Sequence, residues 1–249
     1  MGTEEHRTHR RHTPRSWLVN RRFRHWQRPD SLSGSRAQRQ IDYLARKLGS
    51  RHPDTLRARE HLALWLFREG SPADALVLTE AEVDDRTAEF GPGHPGTLRA
   101  RRSLVRYRRE TGDLPGAIAD ARLLLEDTTR FLGADDRETH GQRRSLAELL
   151  GESGETAGRI ERLRALLAEE EALGPAWKGE VRYTRSTLAR ALEENGDIAE
   201  ALALVEKEVE AERGKVYGVD ENLTEAPLRL LVAWRDRLAD RDRRGGPAR

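Results

Sequence analysis

"RHPDTLRAREHL", Arg51 to Leu62, returns 42 residues later as "GHPGTLRARRSL", Gly93 to Leu104. Taken alone, the first copy has the look of a site, with His52, Asp54 and Thr55 close together. Its return changes that. The same offset carries Gly70 to Gly112, Gly154 and Gly196, and Leu62 to Leu104, Leu146, Leu188 and Leu230. It carries Ala63 to Val105, Ala147, Ala189 and Leu231, and Arg59 to Arg101, Arg143 and Arg185. Agreement across independent columns marks an internal repeat, and repeats of this length are units of a solenoid or array.

Each repeat reads as two helices. In the first, Leu56, Leu62, Ala63 and Leu66 recur at helical spacing. Gly70 suits the left-handed residue that ends a helix. The second helix begins at "SPAD", with Ser71 as expected N-cap and Pro72 in the first turn. The later copies "TGDLPGAI", "SGETAGRI" and "NGDIAEAL" place an Asp or Glu after the Gly as a cap. The second helices end at Gly91, Gly133, Gly174 and Gly218. In this frame the opening stretch is the start of a helix. Pro53 needs no N–H there, Asp54 meets the helix dipole, and Thr55 can serve the open N–H groups. The third and fourth copies read "DDRETH" and "AWKGEV", which a catalytic reading does not explain.

One helix pair cannot bury its own apolar face, but stacked pairs can. The predicted fold is therefore all-α: a solenoid of tandem antiparallel helix pairs over 36–240, with units at about 50–91, 92–133, 134–174 and 175–218. Single helices over 36–49 and 222–240 are expected to cover its ends. Residues 1–35 read as a basic, disordered leader, and 241–249 as a disordered tail.

Composition agrees. Charged residues make up 35% of the 249 and aromatics 5%, a balance that favours helices over sheets. Without cysteine, thiol catalysis and Cys-based zinc sites are excluded. The first residues lack the apolar stretch of a signal peptide and no run approaches a membrane span, so a soluble cytoplasmic protein is expected. The basic residues are 41 Arg and 4 Lys, a skew expected of a GC-rich genome, so each Arg alone says little about binding. Residues 1–35 hold eight Arg against two Glu and one Asp, a net of +5, and the rest of the +2 chain therefore sums to −3.

The stretches "LGSRHPDTLRAREHLALWLFREGSPADAL" and "FGPGHPGTLRARRSLVRYRRETGDLPGAI" resemble tetratricopeptide repeats of the 42-residue, kinesin-light-chain type, as found in actinobacteria. Leu62, Ala63, Leu66, Gly70 and Ala75 fall on that family's signature positions, while Arg159 replaces the small residue of the Ala75 column. The resemblance implies a right-handed superhelix whose first helices line a concave face that binds an extended protein or peptide partner. It places Arg57, Arg99, Arg102, Arg106, Arg109, Arg144, Tyr183 and Arg190 on that face. The family's Asn pair before the core Leu reads here Glu60-His61, Arg102-Ser103, Arg144-Ser145 and Ser186-Thr187. Related arrays often follow a regulatory ATPase, but this sequence has no G-x-x-x-x-G-K-[ST].

Two readings of the arginines stand at this point. The first helix of the second repeat carries six Arg and one Glu, a cluster suited to carboxylates or phosphates; or it is a solvated, Arg-rich face. The column Arg59, Arg101, Arg143, Arg185 reads as structural, its stems on the apolar stripe and its heads paired with carboxylates. In the leader, Trp17, Phe23 and Trp26 alternate with Arg, an arrangement open to nucleic acid or an anionic membrane. His6, His9 and His12 have no scaffold for a metal site. Neither H-E-x-x-H nor G-x-S-x-G occurs. The expected function is a non-catalytic scaffold without cofactor or metal, holding a protein partner, an acidic one by charge, in bacterial regulation.

Overall fold

A computed structural model describes residues 33–213, with side chains from 37 to 207. The aromatic-basic leader, its three histidines, the helix expected over 222–240 and the tail at 241–249 lie outside the described residues. The described residues form α1 (Ser33–Leu48), α2 (Pro53–Arg68), α3 (Pro72–Phe90), α4 (Pro95–Glu110), α5 (Leu114–Leu132), α6 (Arg137–Glu152), α7 (Thr156–Ala172), a 3-10 turn (Pro175–Trp177), α8 (Lys178–Asn195) and α9 (Ile198–Arg213). The fold is all-α, of the solenoid class built from tandem helix pairs. α1 begins at Ser33, ahead of the expected Arg36, because a first turn needs no intrahelical acceptors for its N–H groups and tolerates Ser-Gly-Ser.

The repeat is written into the turns. After α2, Ser71 N–H reaches back to Leu66 O at 2.9 Å and Gly70 N–H to Phe67 O at 3.2 Å. This double closure requires a left-handed residue, supplied by Gly70 at φ +82°. The same pair of bonds recurs at Asp113 and Gly112, at Glu155 and Gly154, and at Asp197 and Gly196. No neighbour lies within 4 Å of where their Cβ atoms would be, so backbone conformation and not crowding selects glycine.

The opening stretch is a helix start, but its atoms play other parts than expected. His52 is the N-cap, its Nδ1 accepting from Asp54 N–H at 3.2 Å. Thr55 serves no N–H: its hydroxyl donates to Gly49 O at 2.9 Å, closing the previous turn. His94 caps Gly96 N–H at 3.1 Å in the second copy, and Asp136 caps Glu138 N–H at 2.8 Å in the third, where Thr139 donates to Gly133 O. The fourth copy has no such cap and enters α8 through the 3-10 turn. Ser71 holds the N-cap position of α3 without a side-chain bond.

The described residues fall into two compact units, and the boundary, between Ala117 and Ile118, lies in the first turn of α5. In the first unit α1 packs on α2, α2 on α3 and α3 on α4. Ala37, Ile41 and Leu44 of α1 pack with Ala58 and Leu62, and Ala63 and Ala75 bring α2 and α3 close beside Tyr107. In the second unit α6 packs on α7, α7 on α8 and α8 on α9, around Ile160, Leu163, Leu188, Leu192, Ala201 and Val205. The core columns hold, with Leu62, Leu104 and Leu188 buried; Leu146 is half-buried, and Leu149 and Leu150 take more of the core in that repeat.

Candidate interaction surface

In the first unit the predicted binding residues lie on α2 and α4. Arg99, Arg102, Arg106 and Arg109 are exposed and Arg57 is half-buried. Arg106 is held by its flat face: its guanidinium lies 4.4 Å from the centre of the Phe67 ring and 5.1 Å from that of the buried Tyr107. The two rings stack at 4.8 Å. This fixes a cation on an aromatic platform, an arrangement that arginine favours.

An alternating chain of charges joins this face to the core. Glu82 of α3 is 1% exposed. It accepts from Arg86 Nε at 2.5 Å, and Arg86 Nη2 donates to Glu60 Oε2 of α2 at 3.0 Å. The other Glu60 oxygen, Oε1, lies 2.8 Å from Arg99 Nε of α4. Burial pushes Glu82 up to about 7; Arg86 pulls against it, and the Glu60 charge adds to the rise. Beside Glu60, burial lowers His61 below its ordinary value; Glu60 opposes this while Arg57 and Arg99 add to it.

Arg86 also accounts for the letter that separates "HPDTLRAR" from "HPGTLRAR". A Cβ on residue 96 would lie 2.6 Å from Arg86 Nη1.

In the second unit Arg144, which the resemblance places on the binding face, has a side chain only 12% exposed. It lies 3.3 Å from Glu170 Oε1, donates to the Thr184 hydroxyl, and covers the Tyr183 ring at 4.5 Å. The cause is Glu170, which is fully buried and requires a countercharge. His140, also fully buried, brings Nδ1 within 3.4 Å of the same Glu170 oxygen and packs its ring 4.7 Å from Trp177. Tyr183 remains 62% exposed, and Arg190 is exposed.

By sequence Arg159 is only a departure from the repeat, yet it shapes this unit's surface. Its side chain, 8% exposed, donates to Glu148 of α6 at 2.8 Å and to Glu194 of α8. Room for it comes from Gly151: a Cβ there would collide with Arg159 Cδ and stand 3.1 Å from its Cγ and Nε. The first two repeats carry Phe67 and Arg109 in the Gly151 column and a small alanine in the Arg159 column. Large and small have changed places. That exchange was the available signal, as the four-residue spacing of Glu82 and Arg86 was for the buried pair.

Other arginines are structural. Arg59 pairs with Asp85 at 2.5 Å, Arg143 with Glu169 at 2.5 Å and Arg185 with Glu171 at 2.7 Å. Among the described residues no group of three or more His, Asp or Glu is placed to hold a metal, and no helix is long and apolar enough to cross a membrane.

No family model and no curated protein sequence matches the chain. Solved structures do. The nearly identical TPR-like repeats of a Podosopora anserina protein described as a kinesin light chain align with 77% of this chain and 90% of their own length, at 21% identity and a TM-score of 0.63. A single-residue variant of the same repeats aligns with 80% of this chain and 96% of its own length, at 21% identity and a TM-score of 0.66. BtubC (BKLC) from P. vanneervenii aligns over 83% of this chain and 82% of its own, at 16% identity and a TM-score of 0.63. What these proteins share with the chain is the fold, tandem TPR-like helix pairs of the kinesin-light-chain kind.

Proposed function

We propose that the chain is a non-catalytic protein-interaction scaffold whose arginine face on α2 and α4 holds an acidic segment of a protein partner. One observation carries this: Arg99, Arg102, Arg106 and Arg109 are exposed along a single helix, with Arg106 pinned on Phe67. Guanidinium groups match carboxylates in pairs of parallel hydrogen bonds, and a cation already stacked on a ring loses less freedom when it binds. TPR-like repeats in the structural neighbours support a scaffold in general terms. The resemblance to arrays of actinobacteria supports a role in bacterial regulation in the cytoplasm.

Within this reading Arg57 contributes beside Arg99, and Tyr183 and Arg190 offer a second contact surface in the other unit. Arg144 acts there as the support behind the Tyr183 ring. The test is fluorescence polarisation of a labelled glutamate-rich peptide against the wild type and a variant with Arg99, Arg102, Arg106 and Arg109 changed to Glu. Binding should be lost at unchanged helical content. Equal binding by both proteins would sink the proposal.

A further inference from the structure

The arginine face already holds a carboxylate, and that carboxylate is its own. Glu60 presents one oxygen to Arg99 at 2.8 Å and the other to Arg86 at 3.0 Å. It bridges a half-exposed cation of α4 and a buried one of α3. We propose that Glu60 is a built-in competitor for the acidic ligand, occupying Arg99 in the place where a partner's carboxylate would dock and so deciding which acidic segments bind. The proposal rests on the functional reading above and assigns its specificity residue.

Three observations carry it. Arg99 is reachable, since its side chain is 53% exposed, and a guanidinium has five N–H donors with which to take an incoming carboxylate. Arg86 does not depend on Glu60 alone, because Glu82 also accepts its Nε in the core; releasing Glu60 leaves that hydrogen bond in place. Nor does the repeat demand an acid at this place. Two periods on, the corresponding pair is Arg144 with Glu170, the same positions with the signs exchanged. The carboxylate facing Arg99 is therefore a property of the first repeat, not a requirement of helix packing.

Glu60 competes by proximity. It is tethered, so a free carboxylate displaces it only when neighbouring contacts add to its own. A single acidic residue should lose to it, whereas a run that also engages Arg102, Arg106 or Arg109 should win. The face then selects for several acids in sequence over an isolated one.

The experiment uses the full chain and a fluorescein-labelled octaglutamate peptide. Glu60→Gln should bind it about 3–10-fold more tightly, the range of a partly exposed ion pair and a unit of like charge removed. Glu69→Gln takes the same charge from an exposed residue at the end of α2 and should change affinity by less than about 2-fold, because screening weakens charges off the contact. Adding Arg99→Ala to Glu60→Gln should abolish the gain. Glu60→Asp keeps the charge but withdraws it by one methylene, so it should tighten binding by a smaller factor; it stands in if the Gln variant does not fold. Wild-type affinity in both Glu60 variants, or equal tightening by Glu69→Gln, would overturn the proposal. If the fourfold arginine reversal still abolishes binding in that case, the functional reading survives alone; if the peptide never binds, both fail.

Discussion

Gly151→Ala should destabilise this protein although alanine is the better helix former. Gly151 lies in the last turns of α6, and a glycine within a helix costs about 0.5–1 kcal/mol relative to alanine, so the substitution begins with a gain. Its Cβ, however, enters the space of Arg159 Cδ and stands 3.1 Å from Cγ and Nε. These are stem atoms of a buried side chain, not a free end that can swing away. The far end is tied to Glu148 at 2.8 Å and to Glu194, so the stem cannot retreat without loosening one of them. Overpacking costs about 1–3 kcal/mol. A lost hydrogen bond to a charged group adds about 1 kcal/mol once the exposure of the two glutamates is allowed for. Set against the propensity gain, the net loss is about 1–3 kcal/mol. In an Arg159→Ala background the collision is absent, and the same change should stabilise by up to about 1 kcal/mol. The sign reverses between backgrounds. Urea unfolding of the wild type, both single variants and the double variant, followed by circular dichroism, measures the coupling. A stabilising Gly151→Ala in the wild type, or the same shift in both backgrounds, would refute the steric exchange.

Leu104→Ala removes a buried column residue and should cost about 2–5 kcal/mol, seen as a lower melting temperature; an unmoved melt would mean the repeat register is wrong. Gly112→Ala forces a side chain onto φ +84° and should cost about 1–2 kcal/mol, read from denaturant midpoints, with no loss if the turn can close otherwise. Glu82 is raised from 4.5 to about 7, so the folded state holds its proton longer than the unfolded chain. Its contribution is favourable at low pH and is lost as pH rises from about 4.5 through 7, by at most about 3 kcal/mol. His61, lowered on folding, has the opposite slope, so the comparison of wild type with Glu82→Gln across pH 5–8 isolates the carboxylate. Parallel stability curves for the two proteins would remove this account.

The turns were legible because few residues can occupy them. Gly70, Gly112, Gly154 and Gly196 stand at positive φ, and that constraint shows directly as one letter at a fixed offset. The helix starts were legible as helix starts but not atom by atom. His52 has many uses in proteins, and only the structure shows Nδ1 accepting from Asp54 while Thr55 turns back to Gly49. The arginines were least legible. Arg102 and Arg144 occupy the same repeat position, yet one is exposed and the other is drawn in under Tyr183. What separates them is Glu170, 26 residues along and on another helix, a relation no local pattern contains. The Arg-rich composition hid it further, since an Arg in this chain is weak evidence of placement.

That inversion bears on how a repeat array can carry function. In the first repeat the cross-helix pair is Glu60 on the first helix with Arg86 on the second; in the third it is Arg144 with Glu170. Where a buried charge stands at that crossing it needs an opposite one, and either polarity satisfies the pair; the second repeat has Arg102 and Thr128 at these positions instead. The polarity is therefore free to vary from repeat to repeat without disturbing the core. The consequences outside the core are not equivalent. With the acid on the first helix, Glu60 reaches the surface and engages Arg99; with the base there, Arg144 is held down by Glu170 and backs an exposed ring. One pair of positions, read in two orders, thus yields a carboxylate that restrains a cationic face in one unit and a cation that supports an aromatic face in the other.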